Sequence, residues 1–543
     1  MNKYIKYAFA AVGLIFVNTS CSDFGDVNID PEHMNEGNVP YEMVFTNAQH
    51  QGLGSDWDVW RAGCIYGGQW MQHIAAIDEN WWTYALYLYN DDYSASYWNI
   101  YSGDRGAIRD ITTVMDLWKD KPDYVIDYNM ARIVRVLLMS RMTDLYGDIP
   151  YSQAGRPLEF SYPKYDTQQD IYTDMLKELD EAQASLNAGT AKMIAHDVYY
   201  QGDAAKWKKF ANTLMLRLAM RLTKVDAITA QNWVKKAVAN GLITSNAENA
   251  ILNHPGGNTN DDSAEPYAKI FAHMDCGHFF LNDVFVNMLK NTKDPRLALI
   301  GTVCDDPTIS IQSGSSYQYG NSEPDVQKGL PSGYSNDKTN QWFIGKTYPE
   351  FNDKDYLDGY RSKYSTVNRY TYSDPEAPTF IITYAQSQFL LAEAAVRGWV
   401  SGDAKTYYEN GVRAAMEQFA QFPKASNLYA QYLGAGAIST YLDENPFDQS
   451  KALEQINTQY WINCFCNTYE AYSNWRRSGY PDLKSPYDPA NPYGSSATDG
   501  SIPRRFRYPS TESQVNMNNY NDAVSRMDKG DSFMSRVWWD VKQ

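Results

Sequence analysis

Apolar positions along this chain recur with the period of a helix over long stretches. Between 130 and 145, Met130, Ile133, Val134, Leu137, Leu138, Met142 and Leu145 follow the i, i+3, i+4, i+7 spacing of one helix face. From 204 to 222, Trp207, Phe210, Ala211, Leu214, Leu218 and Leu222 do the same, and Asp203 is placed to cap the first turn. The spacing predicts further helices over 168–187 and 229–240, the second ended by Gly241. Tyr384–Arg397 reads as a helix burying Phe389, Leu390, Ala394 and Ala395. Gly398–Gly402 turns the chain and 403–418 returns as its partner, a helix hairpin with a short connection.

Convincing alternating strands are few. The pattern predicts an all-α fold of stacked helical hairpins, tetratricopeptide-like in arrangement although the repeat consensus is not evident. Two long stretches break it. In 305–340, 21 of 36 residues are Gly, Ser, Pro, Asp or Asn, and 478–509 is similarly rich in turn formers. Loops of this length inside a compact chain are usually functional or disordered.

The first residues read as an address. Lys3 and Lys6 precede an eleven-residue apolar run, Tyr7–Val17, too short to span a bilayer, and Asn18-Thr19-Ser20 leads into Cys21. This is the form of a lipoprotein signal over 1–20, with Cys21 as the lipidated new N-terminus, 21–45 as an acidic tether and lead-in, and 46–543 as one domain. No other run approaches the roughly 18 apolar residues of a spanning helix. The whole chain of 543 residues carries a net charge of -17; removing residues 1–20 takes away two lysines and no acids, giving -19. Such a surface repels phosphate backbones and excludes nucleic acid as the natural partner.

Aromatic residues then change the picture. Tyr numbers 43 against 20 Phe, and seven of the 15 tryptophans fall between 57 and 118. Trp81, Trp82, Tyr84, Tyr87, Tyr89, Tyr93, Tyr97, Trp98 and Tyr101 are interleaved with Asn80, Asn90 and acids. Flat rings beside amides and carboxylates match a pyranose, whose C–H face stacks and whose hydroxyl rim hydrogen-bonds. Trp98 and Tyr101 sit at helical spacing and read as core. Trp81 and Trp82 follow a polar break and read as an exposed loop. The candidate saccharide contacts are Trp81 and Trp82 with Asn80, then Tyr84, Tyr87 and Tyr89. A second group lies in the long loop region, with Trp342, Tyr317, Tyr319 and Tyr334.

Other chemistry is poorly supported by spacing. Cys464-Phe-Cys466 reads as small buried thiols in a helix, and HMDCGH at 273–278 lacks a second cluster for a metal. No disulfide framework, nucleotide loop or zinc-protease motif occurs in a supporting context, and neither a cofactor nor a metal is expected. A helical glycosidase or polysaccharide lyase stays open as an alternative, with Asp78, Glu79, Asp91 and Asp92 as carboxylates of the kind that chemistry needs. A non-glycan nutrient binder or a scaffold is a third reading.

Segments spread along almost the whole chain resemble the SusD/RagB-type lipoproteins of Bacteroidetes. They are Cys21, TDLYGDIPYSQAG at 143–155, PKYDTQQDIY at 163–172, WKKFANTLMLRLAMRL at 207–222 and DPRL at 294–297. KGLPSG at 328–333, TYAQSQFLLAEAAVRGW at 383–399, EAYSNWRRSGYPDL at 470–483, IPRRFRYP at 502–509 and VWWD at 537–540 complete the set. The resemblance implies an all-helical fold with tetratricopeptide-like pairs and a loop-rich ligand face, lipid-anchored at the cell surface on the outer membrane. It implies a passive binder, not an enzyme, that captures oligo- or polysaccharide and delivers it to a SusC-like TonB-dependent transporter. The YGDIPY, NWRRSGYP and IPRRFRYP segments read as structural, with Arg476 and Arg504 as buried partners. Ligand residues do not transfer by motif.

Overall fold

The structure is a computed structural model, and it describes residues 40–77, 81–102, 106–186, 192, 196–257, 263–274, 278–304, 320–333, 364–487 and 497–542. The chain divides into two units, Met1–Val44 and Phe45–Gln543; the account below is of the second.

Nine long helices carry most of the packing discussed here: α1 (Ala107–Trp118), α2 (Val125–Tyr146), α3 (Gln168–Ser185), α4 (Ala204–Arg221), α5 (Ala227–Asn240), α6 (Tyr384–Val396), α7 (Ala404–Glu417), α8 (Ala452–Asn463) and α9 (Thr468–Ser478). The periodic segments became helices within about two residues of their expected ends, except that α2 starts at Val125, five residues before the periodic run. Their starts have a common cause. The Thr167, Asp203, Asp226, Thr383 and Asp403 side chains each accept from backbone N–H groups of the first turn of α3, α4, α5, α6 and α7. Each such cap is worth about 1 kcal/mol. Gly241 ends α5 at φ 93, a conformation costly for a residue with a Cβ.

Consecutive helices pack against one another from α1 through α5, α6 pairs with α7, and α6 also packs on α4 and α8. α2 is buried on nearly every side, as expected of a helix enclosed by others. Among the described residues, strands are two to four residues long and pair antiparallel: 74–76 with 279–281, 149–150 with 165–166, 250–252 with 379–382, and 301–304 with both 320–321 and 366–367.

The long stretch 478–509 is only partly the loop its composition suggests. Ile502, Phe506 and Tyr508 are buried, and the arginines between them tie distant helices together. Arg476 donates to the Asp144 carbonyl at 2.6 Å and the Arg504 carbonyl at 3.0 Å, sandwiched between the rings of Tyr472 and Trp539 at 4.1 and 4.7 Å. Arg504 forks onto Asp540, and Arg505 donates to the Tyr146 carbonyl and to Asp531. Arg221 bridges Asp144 at 3.2 Å and Glu470 at 2.6 Å, and Trp539 Nε1 donates to Asp144 at 2.9 Å. Arg477 grips Glu393 with two bonds of 2.7 Å. Breaking a buried pair of this kind costs about 3–5 kcal/mol, because one charge is left without its partner. The irregular backbone is therefore held by side-chain forks instead of a ladder. YGDIPY, NWRRSGYP and IPRRFRYP meet in this network.

One local expectation needs correction. α8 stops at Asn463, so Cys464, Phe465 and Cys466 lie past its end, with Cys466 at φ 60. Cys64 and Cys464 are buried and Cys466 half-buried; burial pushes the Cys464 thiol up.

Candidate ligand-binding site

The site begins with a helix start. Ser55 and Asp58 form a reciprocal cap: the Asp58 N–H donates to Ser55 Oγ at 3.2 Å and the Ser55 N–H to Asp58 Oδ2 at 3.1 Å. The chain then winds as a short α-turn, Asp56–Asp58, and a wider π-turn, Val59–Gly68. Trp57, Trp60 and Arg61 lie at i, i+3 and i+4 and so share one side. Trp57 is 46% exposed, while Trp60 and Arg61 are half-buried.

Two other segments bring rings to this ridge. Trp81 opens the 3-10 helix Trp81–Leu86 and lies flat on Phe279, at 5.7 Å and 4° between planes. Tyr93 sits on the short helix Asp91–Ala95, where Asn90 accepts from the Tyr93 N–H at 3.2 Å. Trp60 is the hub, edge-on to Trp57 at 5.4 Å, to Trp81 at 5.5 Å and to Tyr93 at 5.7 Å. The Arg61 guanidinium lies within 5.4–6.0 Å of the Trp57, Trp60 and Tyr93 rings. Trp60 Nε1 and Arg61 Nε have no hydrogen-bond partner among the described residues. Two buried donors beside a partly open ring cluster are suited to donating to hydroxyl or carbonyl oxygens of a ligand, since leaving each unmet costs about 1–3 kcal/mol.

The expected residues divide. Trp81 is half-buried and joins this cluster. Trp82 does not lie on an exposed loop. It is 3% exposed and packs with Leu86, because neighbouring residues of a tight helix point to different sides. Gln69 and Trp70 fasten that helix by donating to the Trp81 and Tyr84 carbonyls. Tyr84 is buried against Tyr66 and Tyr93. Tyr87 is buried with its hydroxyl donating to Ser485 at 2.8 Å, and burial pushes its phenol up. Tyr89 is half-buried, donates to Asp91 at 2.6 Å and has Arg507 4.0 Å over its ring, so one face is already occupied. Of these four rings, Tyr84 packs directly on the cluster, through Tyr93. Asp91 also accepts from the Ser510 hydroxyl. Asp78, Glu79, Asn80, Tyr317, Tyr319, Tyr334, Trp342, Cys276 and Cys21 lie outside the described residues.

Sequence reasoning passed over Trp57, Trp60, Arg61 and Tyr93. A signal was present in W-x-x-W-R, but tryptophans at i and i+3 ordinarily mark a buried face. Among the described residues, no group of three or more His, Cys, Asp or Glu is placed to hold a metal ion, and no helix is long and apolar enough to cross a membrane.

Comparison with known proteins places this arrangement. Nothing matches among curated proteins. Among solved structures, one titled a chitin-binding protein is 31% identical, covering 92% of this chain and 100% of its own at a TM-score of 0.76. Another, titled Bacteroidetes AC2a SusD-like, is 29% identical over 93% of this chain and 100% of its own, also at 0.76. A chitin-binding SusD homolog from Flavobacterium johnsoniae shares the fold at 24% identity and a TM-score of 0.69, over 93% of this chain and 99% of its own. The SusD-like family model, described as starch-binding associating with outer membrane, matches residues 40–509. With a match of that extent, and with the helical-hairpin fold found in the solved relatives, the chain belongs to the SusD-like family.

Proposed function

We propose that this protein is a cell-surface glycan-capture lipoprotein, anchored through Cys21, that presents oligo- or polysaccharide to a SusC-like TonB-dependent transporter without chemical change. The observation that carries the reading is the ring cluster of Trp57, Trp60, Trp81 and Tyr93 around Arg61. A ring that removes some tens of Å² of sugar from water contributes about 1–2 kcal/mol. Three such contacts, less the cost of association, give roughly millimolar to micromolar affinity. Weak capture suits a tethered protein, because polymeric ligands add avidity. The relatives titled chitin-binding make soluble β-linked N-acetylglucosamine oligomers the first ligands to test.

Among the acids near the rings, Asp91 accepts from the Tyr89 and Ser510 hydroxyls, so its oxygens are engaged in holding the local fold. The deciding experiment is calorimetry on the mature chain. Trp57→Ala with Trp60→Ala should weaken glycan binding at least tenfold while the helical circular dichroism stays unchanged. Unaltered affinity would remove the site assignment, and new reducing ends on prolonged incubation would replace the binder with an enzyme.

A further inference from the structure

A second concavity lies where the buried arginine network reaches the surface. It holds about 590 Å³ and is lined by Lys484, Arg504, Lys529, Arg536 and Lys542 together with Leu483, Ile502 and Met534. The acids lining it are Asp499 and Asp528. Five cations against two anions is a local reversal in a chain of net charge -17. Arg504 and Arg536 share a single carboxylate, Asp540, which is fully buried behind them. Lys529 and Lys542 form no ion pair among the described residues, and Lys484 pairs with the exposed Asp482. The excess positive charge extends inward to half-buried Lys224: burial and the nearby Arg477, Arg504 and Arg536 lower its ammonium to about 8 despite Asp540. The wall also has a fixed position. Gln72 donates to the Lys484 carbonyl at 2.5 Å, and Tyr87 holds Ser485, which lines the cleft.

We propose that this cleft is a second ligand site, for a saccharide bearing an oxyanion such as a carboxylate or sulfate. A concave site of one sign concentrates field and attracts the opposite charge even where net charge opposes it. Guanidinium and ammonium donors make short, strong bonds to such groups, and the volume lies within the roughly 300–1,000 Å³ of small-ligand pockets. The Leu483, Ile502 and Met534 flank offers apolar surface to a sugar ring. The sugar part of the proposal rests on the glycan reading above; the anion part does not.

The test uses calorimetry on the full mature chain with four probes: trigalacturonate, a sulfated chondroitin disaccharide, neutral chitotriose and inorganic sulfate. At least one charged saccharide should bind the cleft, with affinity falling as ionic strength rises, and Lys484→Ala with Lys529→Ala should weaken it at least fivefold. Trp57→Ala with Trp60→Ala should leave that binding unchanged. The carboxylated and sulfated arms tell which oxyanion is preferred. Neither charged saccharide binding, equal binding by the lysine variant, or inorganic sulfate binding as tightly as the sulfated sugar would each overturn the proposal. Chitotriose reads the ring cluster, so failure there is distinguishable from failure of the cleft.

Discussion

Glu265 is a carboxyl in an unusual place, buried as the cap of a short helix, accepting from the Ala268 N–H at 2.8 Å and the Thr379 hydroxyl at 3.0 Å. Burial dominates and pushes it up to about 7. An unfolded chain releases this proton near pH 4.5, so the folded state holds it through the window from about 4.5 to 7. Stability from this group is complete below that window and is lost as pH rises through it. Glu265→Gln should therefore stabilise the protein by about 1–3 kcal/mol at pH 8 and leave it near wild type at pH 4. Urea unfolding at the two pH values checks this, and an equal effect at both would contradict it. Glu393 shows the opposite sign. Burial would raise it, yet the Arg477 and Arg397 guanidiniums hold it down at about 2, so its contribution is present above about pH 4.5 and disappears towards pH 2. Position in the chain marks neither carboxyl; what separates them is whether an arginine lies opposite.

Helix pairing in α6 and α7 depends on one missing side chain. A Cβ on Gly411 would lie 2.6 Å from the Phe389 ring, so the two helices approach as closely as they do because nothing fills that space. Gly411→Val should cost about 1–3 kcal/mol through overpacking, read as a lowered midpoint in thermal unfolding; an unchanged midpoint would mean that Phe389 can move aside freely. At this scale the sequence was read well. Periodicity of Leu, Met and Ala located α2, α4 and α6, and Asp203 located the start of α4, because both effects act within a few residues. Which rings meet solvent is not legible in the sequence, for the same reason. Whether Trp81 or Trp82 meets solvent is decided by Phe279, far along the chain, and by the fastening bonds from Gln69 and Trp70. Local spacing carries neither. The basic cleft was invisible for a related reason, since its lining comes from 475–542 without a periodic pattern.

Cys21→Ala should move the protein from the outer-membrane fraction to the soluble one, checked by fractionation and blotting, and retention in the membrane fraction would count against a lipid anchor. The network around Asp144 has a different consequence. Trp539 and Asp540 are both buried, and they complete the surroundings of Asp144, Arg476 and Arg504. Contacts between residues almost four hundred positions apart are the slow ones to form. The centre of the protein thus stays unfinished while the polypeptide is being synthesised, because Arg504 and Arg476 wait for Asp540 and Trp539, among the last residues to be made.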